Sequence, residues 1–228
     1  MMIALQIAMA ILPGLLIIWF IYREDLYEKE NWLPLVLSFM LGVAVTYPVM
    51  KMQELFYDMG WKDDGSLWNT LFSAFILVAF TEELVKYVAL LLYPYRSRFF
   101  NEPLDGIVYA TFIGMGFATL ENVLYAYRYD MATTLVRALT AVPAHATFAA
   151  LMGYYIGKAK FDLPRRRSHL IKGLIMAITL HGLYDFFVLQ NIDDGLMILS
   201  IVILTASILY TLELIRELQQ ESPFREKP

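Results

Sequence analysis

The sequence contains no cysteine, and this absence removes several kinds of chemistry at once. Disulfide bonds, thiolate nucleophiles and cysteine-ligated zinc are all excluded. Charged residues are also sparse, at 18% of the 228 residues, and no basic arm or Arg/Gly tract is present, so nucleic acid is not an expected partner. The chain also lacks the H-E-x-x-H motif of the zincins and the G-x-S-x-G nucleophile elbow of serine hydrolases.

Apolar residues are correspondingly abundant, at 59% of the chain, where a soluble domain has roughly 45–50%. A membrane-spanning helix needs roughly 20 mostly apolar residues in succession. Seven segments meet this requirement, at residues 2–22, 32–56, 67–93, 105–127, 134–157, 170–190 and 195–215. We therefore expect an all-α, polytopic protein of the cell membrane, with residues 1–228 forming one domain embedded in the lipid bilayer.

Lysine and arginine are distributed unevenly between the two sides of the predicted helices. The loop after the fifth span is the most basic and contains Lys158, Lys160, Arg165, Arg166 and Arg167. The opposite side holds mainly Lys62 and Arg128, with Lys51 and Arg137 near helix ends. Because basic loops remain in the cytoplasm, this bias predicts an outside N-terminus and a cytoplasmic C-terminus. Arg128 and Arg137 are expected to extend towards the membrane interface.

Several predicted spans contain ionisable side chains, which are costly in lipid and persist where they pair, line a cavity or perform chemistry. At a rise of about 1.5 Å per residue, the two histidines of the fifth and sixth spans fall at similar depths, so a single site could collect all of these side chains. They are Glu82, Glu83 and Lys86 in the third span, Glu121 and Asn122 in the fourth, His145 in the fifth, and His181 and Asp185 in the sixth.

The spacing of these residues suggests specific roles. Lys86 follows Glu82 and Glu83 by four and three residues, so it shares a helix face with both and can neutralise one of them. Asp185 follows His181 by four residues and can orient its imidazole. A glutamate beside histidines can act as general base for a water molecule. Two histidines and a carboxylate can also hold a catalytic zinc ion. The sequence leaves open whether a metal is used and which glutamate is the base.

Other interpretations of the same residues remain open. Lys86 and its glutamates could form only a neutralising ion pair, and Asn122 could serve only to join two helices. A proton- or ion-coupled transporter uses the same residue types within the membrane, although no inverted repeat is visible in this chain. A non-catalytic membrane protein that acts by binding a partner would depend on its helix surfaces and tolerate loss of the glutamates.

Four short motifs, each on its own predicted helix, resemble those of the PrsW family of intramembrane proteases. Glu82-Glu83-Leu84-Val85-Lys86 resembles the family motif E-E-x-x-K, and Phe117-Ala118-Thr119-Leu120-Glu121-Asn122 resembles F-A-T-x-E-N. His145-Ala146 and His181-Gly182-Leu183-Tyr184-Asp185 resemble the other two. The wider group, which includes the CAAX prenyl-protein endopeptidases and bacteriocin-immunity membrane proteins, has E-E-x-x-x-R, F-x-x-x-H and H-x-x-x-N instead. Lys86, Glu121 and Asp185 are the differences, and they follow the PrsW pattern.

This resemblance implies an intramembrane endopeptidase that makes the first cut in a single-pass membrane protein, an anti-sigma factor, during a stress response. The catalytic residues it implies are Glu82, Glu83, His145, His181 and Glu121, and the supporting residues are Lys86, Asn122, Asp185 and Phe117. Asn122 would donate a hydrogen bond to the oxyanion. If the cofactor is one zinc ion, the expected ligands are His145, His181 and Glu121.

Overall fold

A computed structural model describes residues 2–62 and 64–225; residues 1, 63 and 226–228 of the predicted domain lie outside the described residues. In the described part, all regular secondary structure is helical. The helices are α1 (Met2–Glu24), α2 (Trp32–Asp58), α3 (Leu67–Phe72), a π-helical segment (Ser73–Phe80), α4 (Thr81–Leu92), α5 (Leu104–Arg128), α6 (Met131–Leu139), α7 (Ala141–Phe161), α8 (Arg166–Leu189) and α9 (Ile198–Glu221).

Six helical stretches among the described residues are long and apolar enough to cross a membrane. They are Met2–Glu24, Trp32–Asp58, Leu104–Arg128, Met131–Phe161, Leu163–Leu189 and Asp194–Glu221. The all-α, multi-pass membrane architecture is thus confirmed. The third predicted span, residues 67–93, is helical over nearly its whole length. It consists of α3, the π segment and α4 in succession, so it does not form one long α-helix.

The fifth predicted span, residues 134–157, differs from the structure because it contains a break. Helix α6 begins earlier, at Met131, where the Asp130 side chain accepts a hydrogen bond from the Thr133 N–H at 2.8 Å. Helix α7 begins at Ala141, after Thr140 leaves the helical conformation with φ −124° and ψ −64°. Pro143 explains the break, since its ring has no N–H and clashes with the carbonyl four residues earlier. Because of this break, α6 does not continue along the axis of α7, and Arg137 in the last turn of α6 is positioned accordingly.

Helices α5 and α7 form the centre of the molecule, and most of their side chains are buried. Their backbones meet at glycines: a Cβ added to Gly106 would overlap the carbonyl oxygen of Gly153, and a Cβ added to Gly153 would overlap that of Gly106. Small residues allow such close approach in membrane helix pairs. Helices α1, α2, α8 and α9 pack around this pair and expose large apolar side chains on their outer surfaces, as lipid contact requires.

Candidate active site

The first turn of α4 carries the two glutamates of the site, directly after the π segment ends. Its next turn carries Lys86, whose Nζ lies 3.3 Å from Glu82 Oε2 and 2.9 Å from Glu83 Oε1. The same Nζ lies 3.2 Å from Nδ1 of His145 on α7. All four side chains are buried, so the lysine joins both carboxylates and one imidazole in a single polar cluster inside the bundle.

Helix α8 adds the second histidine to this cluster. Nδ1 of His181 lies 2.8 Å from Glu83 Oε1, and its Nε2 lies 3.3 Å from Asp185 Oδ2, one turn further along α8. The rings of His145 and His181 are perpendicular, with centroids 5.0 Å apart, and Phe148 stacks on His181. Asp185 thus stands where it can fix the orientation of His181, as its spacing in the sequence suggested.

Glu121 of α5 contacts the other side of the His145 ring. Its Oε2 lies 3.0 Å from His145 Nε2 and 2.8 Å from Arg137 Nη2. The Arg137 guanidinium also lies 3.6 Å from the ring centroid of Tyr125. The expectation that Arg137 only extends to the membrane interface is therefore wrong, because its guanidinium contacts Glu121 and Asn122 within the bundle. Its place in the site results from the break before Pro143, which turns α6 towards α5, and the sequence alone gives no indication of that direction.

The two remaining predicted residues, Phe117 and Asn122, behave differently from each other. The Phe117 ring lies 4.1 Å from Lys86 Nζ and packs edge-on against His145, so it borders the cluster. Asn122 is fully buried, donates from Nδ2 to the Ala10 carbonyl at 3.4 Å and accepts at Oδ1 from Arg137 Nε at 3.2 Å. Its amide joins α5 to α1 and to Arg137, and this engagement does not fit the expected role as an oxyanion donor.

The cluster opens into a cavity of about 740 Å³ between α4, α6, α7, α8 and the start of α9. Glu82, Glu121, Arg137, His145, His181 and Asp185 are on its wall. A second cavity, of about 150 Å³, is lined in part by Glu82, Phe117 and Glu121. Glu83 lines neither of these two cavities, so Glu82 is the glutamate of α4 that meets the open space.

Comparison with known proteins identifies the family. A family model described as "PrsW family intramembrane metalloprotease" matches residues 30–211, which include every residue of the site. The chain belongs to the PrsW family of intramembrane metalloproteases. Proteins named "Protease PrsW" from Geobacillus kaustophilus and Bacillus subtilis are both 36% identical to it, over 81% and 79% of this chain and 80% and 81% of theirs. The corresponding protein from Clostridioides difficile is 30% identical over 86% of this chain and 84% of its own.

Membership in the PrsW family confirms the predicted intramembrane protease and favours it over a transporter. No solved structure matches the chain significantly.

The PrsW family is one of metalloproteases, so the donor atoms of the cluster need to suit a metal. Glu82, Glu83, His145 and His181 each offer one ligand atom, and these atoms all lie within 4.8 Å of one another. Imidazole nitrogens with carboxylate oxygens are the donors of catalytic zinc sites that contain no cysteine. The sequence analysis expected His145, His181 and Glu121 as the metal ligands. Both histidines belong to this group of four, but Glu121 does not, and it contacts Nε2 of His145 instead.

Proposed function

We propose that this PrsW-family chain hydrolyses a peptide bond within a single-pass membrane protein of the anti-sigma-factor type. The observation that supports the proposal is the meeting of Glu82, Glu83, His145 and His181, from three helices, beside a cavity within the membrane bundle. The substrate class rests on the resemblance to PrsW. The cavity supports it in part, because it is large enough for a stretch of unwound backbone.

We assign the role of general base to Glu82. Its carboxylate meets both cavities, while Glu83 is held by Lys86 and His181 through Oε1 and keeps Oε2 enclosed. Glu82 removes a proton from the attacking water as its oxygen bonds to the scissile carbonyl carbon. Glu82 then gives that proton to the amide nitrogen, which leaves as the new amine.

Glu83, His145 and His181 are the proposed ligands of a zinc ion, which when bound polarises the carbonyl and lowers the pKa of the attacking water. Glu121 and Asp185 contact Nε2 of the two histidines and so hold both rings with Nδ1 towards the cluster. Lys86 donates to His145 Nδ1 in the structure. If that nitrogen held the metal, Lys86 would lose this hydrogen bond, and Glu82 and Glu83 would remain its partners.

The test is a cleavage assay in proteoliposomes with a single-pass substrate resembling an anti-sigma factor. Glu82→Gln should reduce the rate by roughly 100- to 10,000-fold, the usual contribution of a general base. His181→Ala and a zinc chelator should each abolish cleavage, and added zinc should restore the chelated wild type. Glu54→Gln, which changes an exposed glutamate paired with Lys51, is the matched control.

The outcomes separate the possible mechanisms. Wild-type cleavage by Glu82→Gln would refute its role as base. Loss of activity in the variants with resistance to chelation would indicate water activated by glutamate without a metal. Failure of the wild type to cut several single-pass substrates would contradict the proposed substrate class.

For the orientation, we propose an outside N-terminus and a cytoplasmic C-terminus. The basic residues between positions 158 and 167 support this, since they lie around the connection between α7 and α8. The loop between α1 and α2 and the start of α5 would then also face the cytoplasm.

A further inference from the structure

A second group of acidic side chains lies where the loop between α1 and α2 meets the start of α5. Its members are Asp25, Glu28, Glu30, Glu102 and Asp105, and we call them the loop acidic cluster. All except Glu28 are buried. Asp105 is 16 residues before Glu121 on α5, which corresponds to about 24 Å along the helix axis. The cluster is therefore at the opposite end of α5 from the proposed catalytic residues.

Three of these carboxylates are held in place by one oxygen each. Asp105 Oδ2 accepts from the backbone N–H of Asn101 at 2.6 Å and of Glu102 at 2.9 Å. Asp25 Oδ2 accepts from the Glu30 N–H at 3.0 Å, and Glu30 Oε2 accepts from the Tyr109 hydroxyl. Such fixed hydrogen bonds to one oxygen are the way proteins orient carboxylates whose other oxygen is a ligand.

The other oxygens of the cluster are enclosed without a hydrogen-bond donor. This is true of Asp25 Oδ1, Glu28 Oε2, Glu30 Oε1, Asp105 Oδ1 and both carboxylate oxygens of Glu102. Burial raises the pKa of Glu102 even though the Ser222 hydroxyl, which acts in the opposite direction, is nearby. A buried polar group without a partner costs free energy, and a buried charge costs more. These oxygens are therefore satisfied either by protons shared between carboxylates, as Glu30 and Asp105 are close enough to do, or by a bound cation.

The basic side chains among the described residues do not form an ion pair with this cluster. Among the described residues, none of the ion pairs includes a member of the loop acidic cluster. Lys29 Nζ instead donates to the carbonyls of Tyr22 and Arg23, and Lys160 Nζ donates to that of Ser97. Burial raises the pKa of Asp25 to about 6, with Lys29 nearby acting in the opposite direction, and burial raises the pKa of Glu30 to about 7.

We propose that the loop acidic cluster binds one hard divalent cation, Mg²⁺ or Ca²⁺, through Glu28, Glu30 and Asp105. Each of the three offers an oxygen, and these oxygens lie within 4.8 Å of one another. Calcium binds oxygen at about 2.3–2.6 Å, so two ligands on opposite sides of the ion are about 4.6–5.2 Å apart. A set of carboxylates alone, without nitrogen or sulfur, favours magnesium or calcium over zinc. Asp25 and Glu102 add negative charge around the ion.

The proposed ion joins two parts of the chain that are distant in sequence. Glu28 and Glu30 belong to the loop between α1 and α2, while Asp105 is in the first turn of α5. Binding therefore fixes the start of α5, the helix that carries Phe117 and Glu121 at the proposed catalytic site. This inference concerns stability and ion binding and does not depend on proteolysis. Carboxylates that share protons and bind no ion are the competing explanation.

The test uses the purified full-length protein in detergent, with a zinc-selective chelator present. Calcium and magnesium are titrated separately by calorimetry, and thermal unfolding is followed by the fluorescence of the four tryptophans. Wild type should bind one ion with saturation and unfold at a higher temperature when it is present. Glu30→Gln and Asp105→Asn, which preserve side-chain shape, should each weaken binding at least tenfold. Glu54→Gln, which changes an exposed glutamate, should bind as wild type does.

Two results would overturn the proposal. One is the absence of saturable binding to wild-type protein, which would mean that protons neutralise the carboxylates. The other is unchanged binding when both Glu30 and Asp105 are replaced. If either variant fails to fold, Glu28→Gln provides the same test, because Glu28 is only partly buried and makes no hydrogen bond through Oε2.

Discussion

Replacing Arg137 with methionine should impair the enzyme without touching any proposed zinc ligand. The change preserves the apolar stem and removes two hydrogen bonds, from Nη2 to Glu121 at 2.8 Å and from Nε to Asn122 at 3.2 Å. Glu121 is then left in a mostly buried position with His145 as its remaining hydrogen-bond partner. We expect the carboxylate to shift and His145 to lose its fixed orientation.

The size of the effect follows from these contacts. Hydrogen bonds to charged groups contribute about 1.5–3 kcal/mol each, and removing one partner of a fully buried ion pair costs about 3–5 kcal/mol. The side chains of Arg137 and Glu121 are 19% and 20% exposed, so solvent weakens their interaction. We therefore expect a loss of about 2–4 kcal/mol in stability. Mutations of groups that orient metal-bound histidines usually cost about 10- to 100-fold in metal affinity or activity, and we expect that range for zinc affinity and cleavage.

A double-mutant cycle with Glu121→Gln tests this reasoning. If Arg137 acts through Glu121, the double variant should be no less active than Glu121→Gln alone, because residues in contact do not contribute additively. Arg128→Met, which changes an exposed arginine at the end of α5, is the matched control and should leave zinc affinity unchanged. Additive losses in the cycle, or normal zinc affinity in Arg137→Met, would refute the positioning role.

Three further predictions concern other parts of the molecule. Asp185→Asn should weaken zinc binding by about 10- to 100-fold, as measured by competition with a fluorescent chelator. The control is Asp194→Asn, which changes an exposed residue. If the two variants bound zinc with equal affinity, the prediction would be contradicted. Gly153→Val should prevent stable folding, because its side chain would overlap the Gly106 carbonyl, whereas Leu209→Val, on the exposed surface of α9, should unfold as wild type does in detergent. Because the chain lacks cysteine, single cysteines can report the orientation. An impermeant maleimide should label Asn191→Cys in intact cells and Ser168→Cys only after permeabilisation, and the opposite pattern would invert the proposed topology.

Much of the site could be predicted from the sequence because ionisable residues are costly and therefore rare in membrane-spanning segments. Glu82, Glu83, His145 and His181 could be selected on that ground alone, and the order of the motifs indicated the family. The sequence could not show which glutamate meets the cavity. Adjacent residues on a helix point about 100° apart, so choosing between them requires knowing which side is open. The same rotation separates Asn122 from Glu121 and turns it towards α1.

Other features depended on tertiary structure that has no simple sequence signal. The position of Arg137 follows from the direction in which α6 leaves the break at Thr140. The loop acidic cluster combines residues from a loop with residues more than 70 positions later, and its members follow no helical period. Both features became visible only when the helices were packed together.

The glycine contacts between α5 and α7 restrict how a substrate can enter. Because the backbones of α5 and α7 are in direct contact at these glycines, no substrate segment fits between the two helices there. Glu121 of α5 and His145 of α7 belong to this closely packed pair. The other walls of the large cavity include residues of α2, the π segment, α4, α6, α8 and the first turn of α9. A substrate segment that entered this cavity from the lipid would have to pass between those elements, because the contact between α5 and α7 leaves it no passage.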